Sequence, residues 1–144
     1  MDDLHEKAGS TNVVHLHGKL SEVKSEGDDS YVLDIGDKEI QYGDTCEEGY
    51  QLRPNVVWFG EAVPEMETAM RIVEQADHFL IVGTSLVVYP AASLVNDVPQ
   101  HADITLIDPN TPDSYPFNKN ITIIQENAST GVPKFVKQLM LDHV

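Results

Sequence analysis

The sequence predicts an α/β protein built on a parallel β-sheet that helices cover on both faces. Three continuous apolar runs are typical of buried strands: HFLIVG at 78–83, ITLI at 104–107 and ITII at 121–124. Helical segments alternate with them, at 65–75 (with Met66, Ala69, Met70, Ile72 and Val73 at helical spacing), near 91–98, and from about 132 to 141. Strands that alternate with helices and are apolar throughout indicate a parallel sheet buried on both faces.

The N-terminal part of the chain has a different character. The β-branched run VVHL predicts a short strand at 13–16, and LRPNVVWFG predicts another, which opens at Arg53 and Pro54. Between them, residues 20–51 are polar, acidic and rich in turn residues, with two apolar patches at 31–35 and 38–42 that could pair as a hairpin. We therefore predict a main domain from residues 1–19 and 52–144, with 20–51 as a small inserted module.

Charge and composition narrow the possible partners. With 24 acidic residues against 9 lysines and arginines, the formal net charge of -15 argues against nucleic acid or an anionic membrane as a partner. No apolar stretch has the length of a membrane-spanning helix, and MDDLHEKAG lacks a signal-peptide pattern. The single cysteine, Cys46, excludes an internal disulfide. These features predict a cytoplasmic protein.

Two histidines, His15 and His17, stand two positions apart in NVVHLHGKL. In a strand they would share one face and could bind one metal ion, as in a metal-dependent hydrolase, but no further ligand cluster with suitable spacing is evident. They could also be core or surface residues without a chemical role. The third interpretation is a catalytic base at a strand end, because imidazole titrates near neutrality and Gly18 would let a substrate approach closely.

The turn Gly83-Thr84-Ser85 follows a predicted buried strand. The carboxyl ends of strands in open α/β sheets are where nucleotides and phosphates bind, although such a turn is often only a chain reversal. Asp108 ends the next strand in ITLIDPN, where a carboxylate could accept hydrogen bonds from ribose hydroxyls. A simple turn-initiating Asp before Pro109 is the alternative.

The adjacent aromatic residues Trp58 and Phe59 lie near the end of LRPNVVWFG. A strand would send them to opposite faces, so its edge could pair with an extended peptide beside an aromatic wall. Two core aromatics before a turn would be the alternative interpretation.

Taken in order, the segments MDDLHEKAG, VVHLHG, LRPNVVWFGE, GTSLVVYPAASL, LIDPN and ENASTGVP resemble the sirtuin family, the NAD-dependent protein lysine deacylases. The resemblance runs from residue 2 nearly to the C-terminus and implies a Rossmann-like sheet. It also implies a reaction in which the acyl oxygen of the substrate attacks C1′ of the nicotinamide ribose and nicotinamide leaves. His17 would then act as general base toward a ribose hydroxyl that attacks the resulting imidate, whose hydrolysis gives free lysine and acylated ADP-ribose. His15 would have no chemical role.

The resemblance assigns further residues by matching position. For NAD, the resemblance implies that Asp2 contacts the nicotinamide amide and that Gly83, Thr84 and Ser85 hold the phosphates and the adenosine ribose. It also implies that Asp108, Pro109 and Asn110 lie on the adenosine side and that Ala128 lies near the adenine. Those implied to sandwich an acyl-lysine peptide as an added strand are Val57, Trp58, Phe59, Gly60, Glu61, Val87, Val88 and Tyr89.

Three departures from the family pattern shape these expectations. Many sirtuins carry four cysteines in the module after the catalytic histidine, whereas residues 20–51 contain only Cys46, so we expect no zinc. Asp108 stands where the family usually has Asn. The family's glycine-rich G-A-G-x-S loop is missing, so we expect a sheet incomplete at its N-terminal side, in a fragment or in a chain that a partner completes. The alternative function is an inactive remnant that binds NAD, ADP-ribose or an acyl-lysine peptide.

Overall fold

The computed structural model describes residues 1–110 and 118–142, with side chains through 141. The chain forms two compact units, Met1–Met66 and Glu67–Val144. We call them unit 1 and unit 2 and describe each by itself. Among the described residues, no helix combines the length and the apolar character needed to cross a membrane.

Unit 1 is built on a three-stranded antiparallel sheet. It contains a one-turn helix α1 (Leu4–Lys7) and the strands β1 (Gly18–Ser25), β2 (Val32–Asp34) and β3 (Leu52–Val56), in the order β2-β1-β3. The pairing of β1 with β3 shifts register between Lys19 and Val23, which marks a bulge. Beyond the bulge, Val23 and Ser25 are buried on one face of the sheet.

Two strand predictions in unit 1 are wrong. Residues 13–15 are irregular, and Leu16 and His17 form a turn whose flanking N–H groups donate locally, from Leu16 to Val14 and from Gly18 to His15. The β-branched composition of residues 13–16 is not enough to make them a strand, because a strand also needs a neighbouring strand with which to form hydrogen bonds. The predicted hairpin at 31–35 and 38–42 is also absent, since β2 pairs with β1 instead.

The segment at 38–51 is a loop held by side-chain hydrogen bonds. The Gln51 amide donates to the carbonyl oxygens of Gln41, Asp44 and Leu52, and its side-chain oxygen accepts from the Gly43 N–H. A single glutamine thus satisfies backbone groups that a strand ladder would otherwise have satisfied.

Unit 2 contains the predicted parallel sheet. Its strands β4 (His78–Val82), β5 (Asp103–Ile107) and β6 (Ile121–Ile124) are in sequence order, with Val82 opposite Ile107 and Ile107 opposite Ile124. The helices are α2 (Met66–Val73), a 3-10 turn (Ala91–Ser93) that leads into α3 (Leu94–Asp97), and α4 (Ala128–Asp142). The predicted helix near 91–98 is therefore shorter than expected, and the last helix begins earlier.

Helices pack on both faces of this sheet. On one face, the buried cluster joins Ile81, Ile104 and Leu106 of the strands to Val73 of α2 and Val95 of α3. On the other face lies Gly131 of α4, where an added Cβ would come within 2.6 Å of the Ile107 side chain. Leu106 and Ile107 are completely buried, which stabilises the fold by about 1.5–3 kcal/mol for each side chain. The predicted fold class is confirmed for this unit.

Candidate functional site

His17 lies in the turn that immediately precedes β1. Its backbone is fixed on the β3 side, because the Val57 N–H donates to the His17 carbonyl oxygen at 3.1 Å. The side chain is half-buried, and within the described residues no hydrogen bond to its imidazole is found. The geometry thus gives a positioned backbone and an imidazole with nitrogen atoms available to a bound molecule.

Gly18 makes this arrangement possible. Its φ is +76°, and a Cβ at this position would lie only 1.9 Å from the Asn55 carbonyl oxygen of β3. The sequence suggested that Gly18 admits a substrate, but the group that approaches it is the neighbouring strand. Only glycine combines this dihedral angle with so close a backbone contact.

Asp2 lies on a segment bonded to the beginning of β1. The Met1 carbonyl oxygen accepts a hydrogen bond from the Leu20 N–H at 2.9 Å, three residues beyond His17. The Asp2 carboxylate accepts from the Leu4 N–H at 3.1 Å, and this bond lowers the pKa of the Asp2 side chain. Asp2 is therefore an exposed, ionised group.

His15 has a partner that sequence reasoning missed. Its Nε2 lies 2.5 Å from a carboxylate oxygen of Glu6 in α1, and only 9% of its side chain is exposed. The hydrogen bond lowers the pKa of Glu6. Because residues 13–17 are not a strand, the argument that His15 and His17 share a face does not apply. Among the residues described, no three His, Cys, Asp or Glu side chains are grouped as a metal site.

Residues 57–61 form a turn rather than the continuation of β3. Glu61 closes it: one carboxylate oxygen accepts from the Trp58 N–H at 3.0 Å, and the other accepts from the Arg53 guanidinium at 2.6 Å. Trp58 is 55% exposed and Phe59 is 99% exposed. The prediction that a strand sends these aromatics to opposite faces is wrong, because β3 ends at Val56. The sequence carried no local signal for this ion pair, because Arg53 and Glu61 are eight residues apart and an irregular turn brings them together.

A groove of about 930 Å³ follows the polar face of the unit 1 sheet. Its lining includes His15 and Val57, together with the ion-paired Arg53 and Glu61. His17 is not part of this lining. The turn that holds the catalytic candidate and the turn with the exposed aromatics are therefore adjacent parts of one unit, joined by the bond from Val57 to His17.

In unit 2, Gly83, Thr84 and Ser85 follow β4 at the carboxyl edge of the sheet. The Gly83 N–H donates to the Ile107 carbonyl oxygen at 3.0 Å, and its φ is +63°. Apart from the adjoining residues, no atom of the described residues lies within 4 Å of where a Cβ would be. The Thr84 hydroxyl accepts from the Leu86 N–H at 3.2 Å. The turn therefore presents an open backbone and the Ser85 side chain at this edge.

Asp108, Pro109 and Asn110 follow β5 at the same edge. The Asp108 N–H donates to Ile124 at 3.3 Å, and its carboxylate accepts from the Asn110 N–H at 2.7 Å, which forms a turn. Asp108 thus has the turn-forming role that the alternative interpretation expected, while its second oxygen has no hydrogen bond among the described residues. Ala128 is exposed at the first position of α4.

The carboxyl edge of unit 2 suits the NAD that the family resemblance implies. It combines an open glycine turn, a carboxylate oxygen, and the N-terminus of the 15-residue helix α4, where backbone N–H groups favour negative charge. Connected parallel strands bring these groups to one edge.

The exposed residues Val87, Val88 and Tyr89 form a loop in unit 2. Leu86 anchors it, since this residue is buried in the core despite a φ of +55°. A non-glycine residue with positive φ is uncommon and requires support from its surroundings, which the packing of Leu86 supplies. The loop therefore projects apolar surface from a fixed base.

The segment at 20–51, which lies within unit 1, does not fit a four-cysteine zinc site, because it contains one thiol. Cys46 is buried, and its sulfur lies 3.5 Å from the hydroxyl of the buried Ser25. This contact, together with the Gln51 hydrogen bonds, joins the loop to β1 and β3.

Comparison with known proteins identifies the family. The chain matches the Sir2 family over residues 1–90. A NAD-dependent protein deacylase of Bacteroides thetaiotaomicron is 48% identical over 146 residues, covering 98% of this chain and 62% of that protein. The crystal structure of a Sir2 homologue in complex with NAD has a TM-score of 0.80 at 37% identity, over 97% of this chain and 56% of that one.

A complex of Sir2 with p53 peptide and NAD+ has a TM-score of 0.70 at 25% identity, over 98% of this chain and 59% of that one. This chain spans less than two thirds of the length of each of these relatives. The family match covers more than half of the chain, and it confirms the sirtuin resemblance of the motifs. The chain therefore belongs to the Sir2 family.

Proposed function

We propose that this protein acts in the NAD-dependent removal of acyl groups from lysine side chains, with His17 as general base. The observation that carries the proposal is the setting of His17. Its backbone is bonded to the turn that presents Trp58 and Phe59, and its imidazole has no hydrogen bond among the described residues. When bound, NAD supplies a glycosidic bond at C1′ that is activated toward the weakly nucleophilic acyl oxygen.

His17 accepts a proton in this scheme. A neutral imidazole near pH 7 can take the proton of a ribose hydroxyl, provided that a ring nitrogen lies within hydrogen-bond distance. The backbone bond from Val57 and the close contact at Gly18 restrict how far the backbone of His17 can move. Asp2 would bind the nicotinamide amide, whose N–H groups suit an ionised carboxylate.

The residues at the carboxyl edge of unit 2 would hold the rest of NAD. The open backbone of Gly83, with Thr84 and Ser85, suits phosphate and ribose oxygens, and the second oxygen of Asp108 suits ribose hydroxyls. Pro109, Asn110 and Ala128 would contact the adenosine.

The acyl-lysine peptide would bind to the exposed turn at 57–61 and to the loop formed by Val87, Val88 and Tyr89. Both present exposed apolar side chains, against which an extended peptide can lie. The related Sir2 structure with a p53 peptide supports a peptide substrate.

We further propose that the protein binds no zinc and works in the cytoplasm. A single buried thiol supports the first statement, and a lone free cysteine in a chain without disulfides suits a reducing compartment.

The test measures nicotinamide release from NAD in the presence of an acetyl-lysine peptide, together with NAD binding by calorimetry. His17→Ala should lower turnover by about 10²–10⁴-fold, the usual contribution of a general base, while NAD affinity stays within about twofold. His101→Ala is the matched control, because this exposed histidine pairs with Asp77 before β5 begins, away from the carboxyl edge. Equal turnover in wild type and His17→Ala would refute the assignment, and ADP-ribose binding without nicotinamide release would favour a protein that only binds.

A further inference from the structure

The helix α1 is too short and too exposed to be stable without contacts to other segments. It comprises four residues, none of them buried, and a single helical turn is unstable in isolation. Besides its backbone hydrogen bonds, its internal contacts are the ion pair between Asp3 and Lys7 and the bond from the Leu4 N–H to Asp2. Its place in unit 1 must therefore depend on contacts with other segments.

Two contacts supply this placement, and they lie on either side of His17. The Met1 carbonyl oxygen accepts from Leu20 after His17, and the Glu6 carboxylate bonds His15 before it. Among the described residues, the backbone of 13–17 forms only local turn bonds and the bond from Val57 to His17. Among the residues that the structure describes, the pair of Glu6 and His15 is thus the side-chain hydrogen bond that joins α1 to the segment carrying His17.

The donor and the acceptor of the hydrogen bond between His15 and Glu6 follow from the chemistry of the two side chains. An ionised carboxylate can only accept hydrogen bonds, so the Nε2 of His15 carries the proton. A hydrogen bond with an ionised acceptor is short and strong, and the low exposure of His15 limits competition from water.

We propose that Glu6 and His15 are positioning residues that set the nicotinamide-binding segment at Asp2 and the catalytic turn at His17 relative to each other. This inference rests on the proposed function and gives His15 a role that the sequence did not indicate. Neither residue touches the reacting atoms. Both act through the segments they join.

The first experiment needs no ligand. Histidine ring ¹H–¹⁵N spectra are recorded for the wild-type chain, Glu6→Ala, Glu6→Gln and the control Asp3→Asn, which removes the other ion pair of the same helix. His15→Gln assigns the His15 signals. In Glu6→Ala, the ring signals of both His15 and His17 should shift. In Glu6→Gln, the shifts should be smaller, because the amide oxygen can still accept a hydrogen bond from His15. In Asp3→Asn, the His17 signals should stay in place. His17 signals that are unchanged in Glu6→Ala would overturn the proposal.

The second experiment compares two ligands by calorimetry. Glu6→Ala should weaken NAD binding by about fivefold, whereas ADP-ribose, which lacks nicotinamide, should bind as it does to wild type, and Glu6→Gln should restore part of the loss. An equal loss for both ligands would mean general destabilisation and would overturn the proposal. If the wild-type chain binds neither ligand, the proposed function fails, and the ring spectra still decide whether Glu6 positions His17.

Discussion

The close approach of β3 to Gly18 leads to a quantitative prediction for Gly18→Ala. The new methyl group would lie 1.9 Å from the Asn55 carbonyl oxygen, whereas Cβ contacts under 3.0 Å essentially never occur. The two strands must therefore separate by more than about 1 Å where their pairing begins. The bond from Val57 to His17 lies at this point and should be lost with the strand contact.

The expected cost has two parts. An L-residue in the left-handed region costs about 1–2 kcal/mol, and the loss of about two backbone hydrogen bonds adds about 1 kcal/mol for each bond. Gly18→Ala should therefore lower the free energy of unfolding by about 3–4 kcal/mol. Gly36→Ala is the matched control, because Gly36 also has a positive φ of +58° but has open space around the Cβ position. It should incur the backbone cost alone, about 1–2 kcal/mol.

Urea unfolding of the wild type and both variants measures these free energies. Hydrogen exchange should also show faster exchange of the Val57 N–H in Gly18→Ala than in the control, because its acceptor is the His17 carbonyl. Equal destabilisation by Gly18→Ala and Gly36→Ala would show that the contact with Asn55 carries no energy and would refute the reasoning.

Two further predictions concern the turn at 57–61 and the metal content. Glu61→Gln removes the charge that pairs with Arg53, so the affinity for an acetyl-lysine peptide should fall by about fivefold in calorimetry while ADP-ribose affinity is unchanged. Glu67→Gln, which breaks an exposed ion pair, is the control, and unchanged peptide affinity in Glu61→Gln would count against the role of the turn. Elemental analysis of the purified chain should find far less than one zinc ion per molecule, and a chelator should leave its melting temperature unchanged. Zinc at one ion per molecule would contradict the proposal that the protein binds no zinc.

The parallel sheet could be predicted from the sequence almost residue by residue. The predicted run ITII at 121–124 coincides with β6, and ITLI at 104–107 differs from β5 by one residue. The central strand β5 is buried from Ile104 to Ile107, and a short, mostly apolar run between helical segments has few other interpretations.

The errors fall where strand formation depends on a neighbour. The run at 13–16 has strand composition but is not a strand, and the patch at 38–42 lies in a loop that Gln51 holds. Local composition describes what a segment can form, but hydrogen-bond partners distant in sequence decide what it does form.

Part of the candidate site could also be predicted. Gly83 and Asp108 lie at one edge because parallel connections return each strand in the same direction, so residues that follow neighbouring strands must meet. The contacts of Glu6 with His15 and of Arg53 with Glu61 could not be derived in this way, because each depends on the path of an irregular segment.

The sequence by itself determined the class of sheet in unit 2, the family and the identity of the residues at the carboxyl edge, because hydrophobic periodicity and short motifs are local properties of the chain. Only the tertiary structure decided that Gly18 accommodates a strand rather than a substrate and that His15 bonds Glu6. Both outcomes depend on distances between segments that no local pattern encodes.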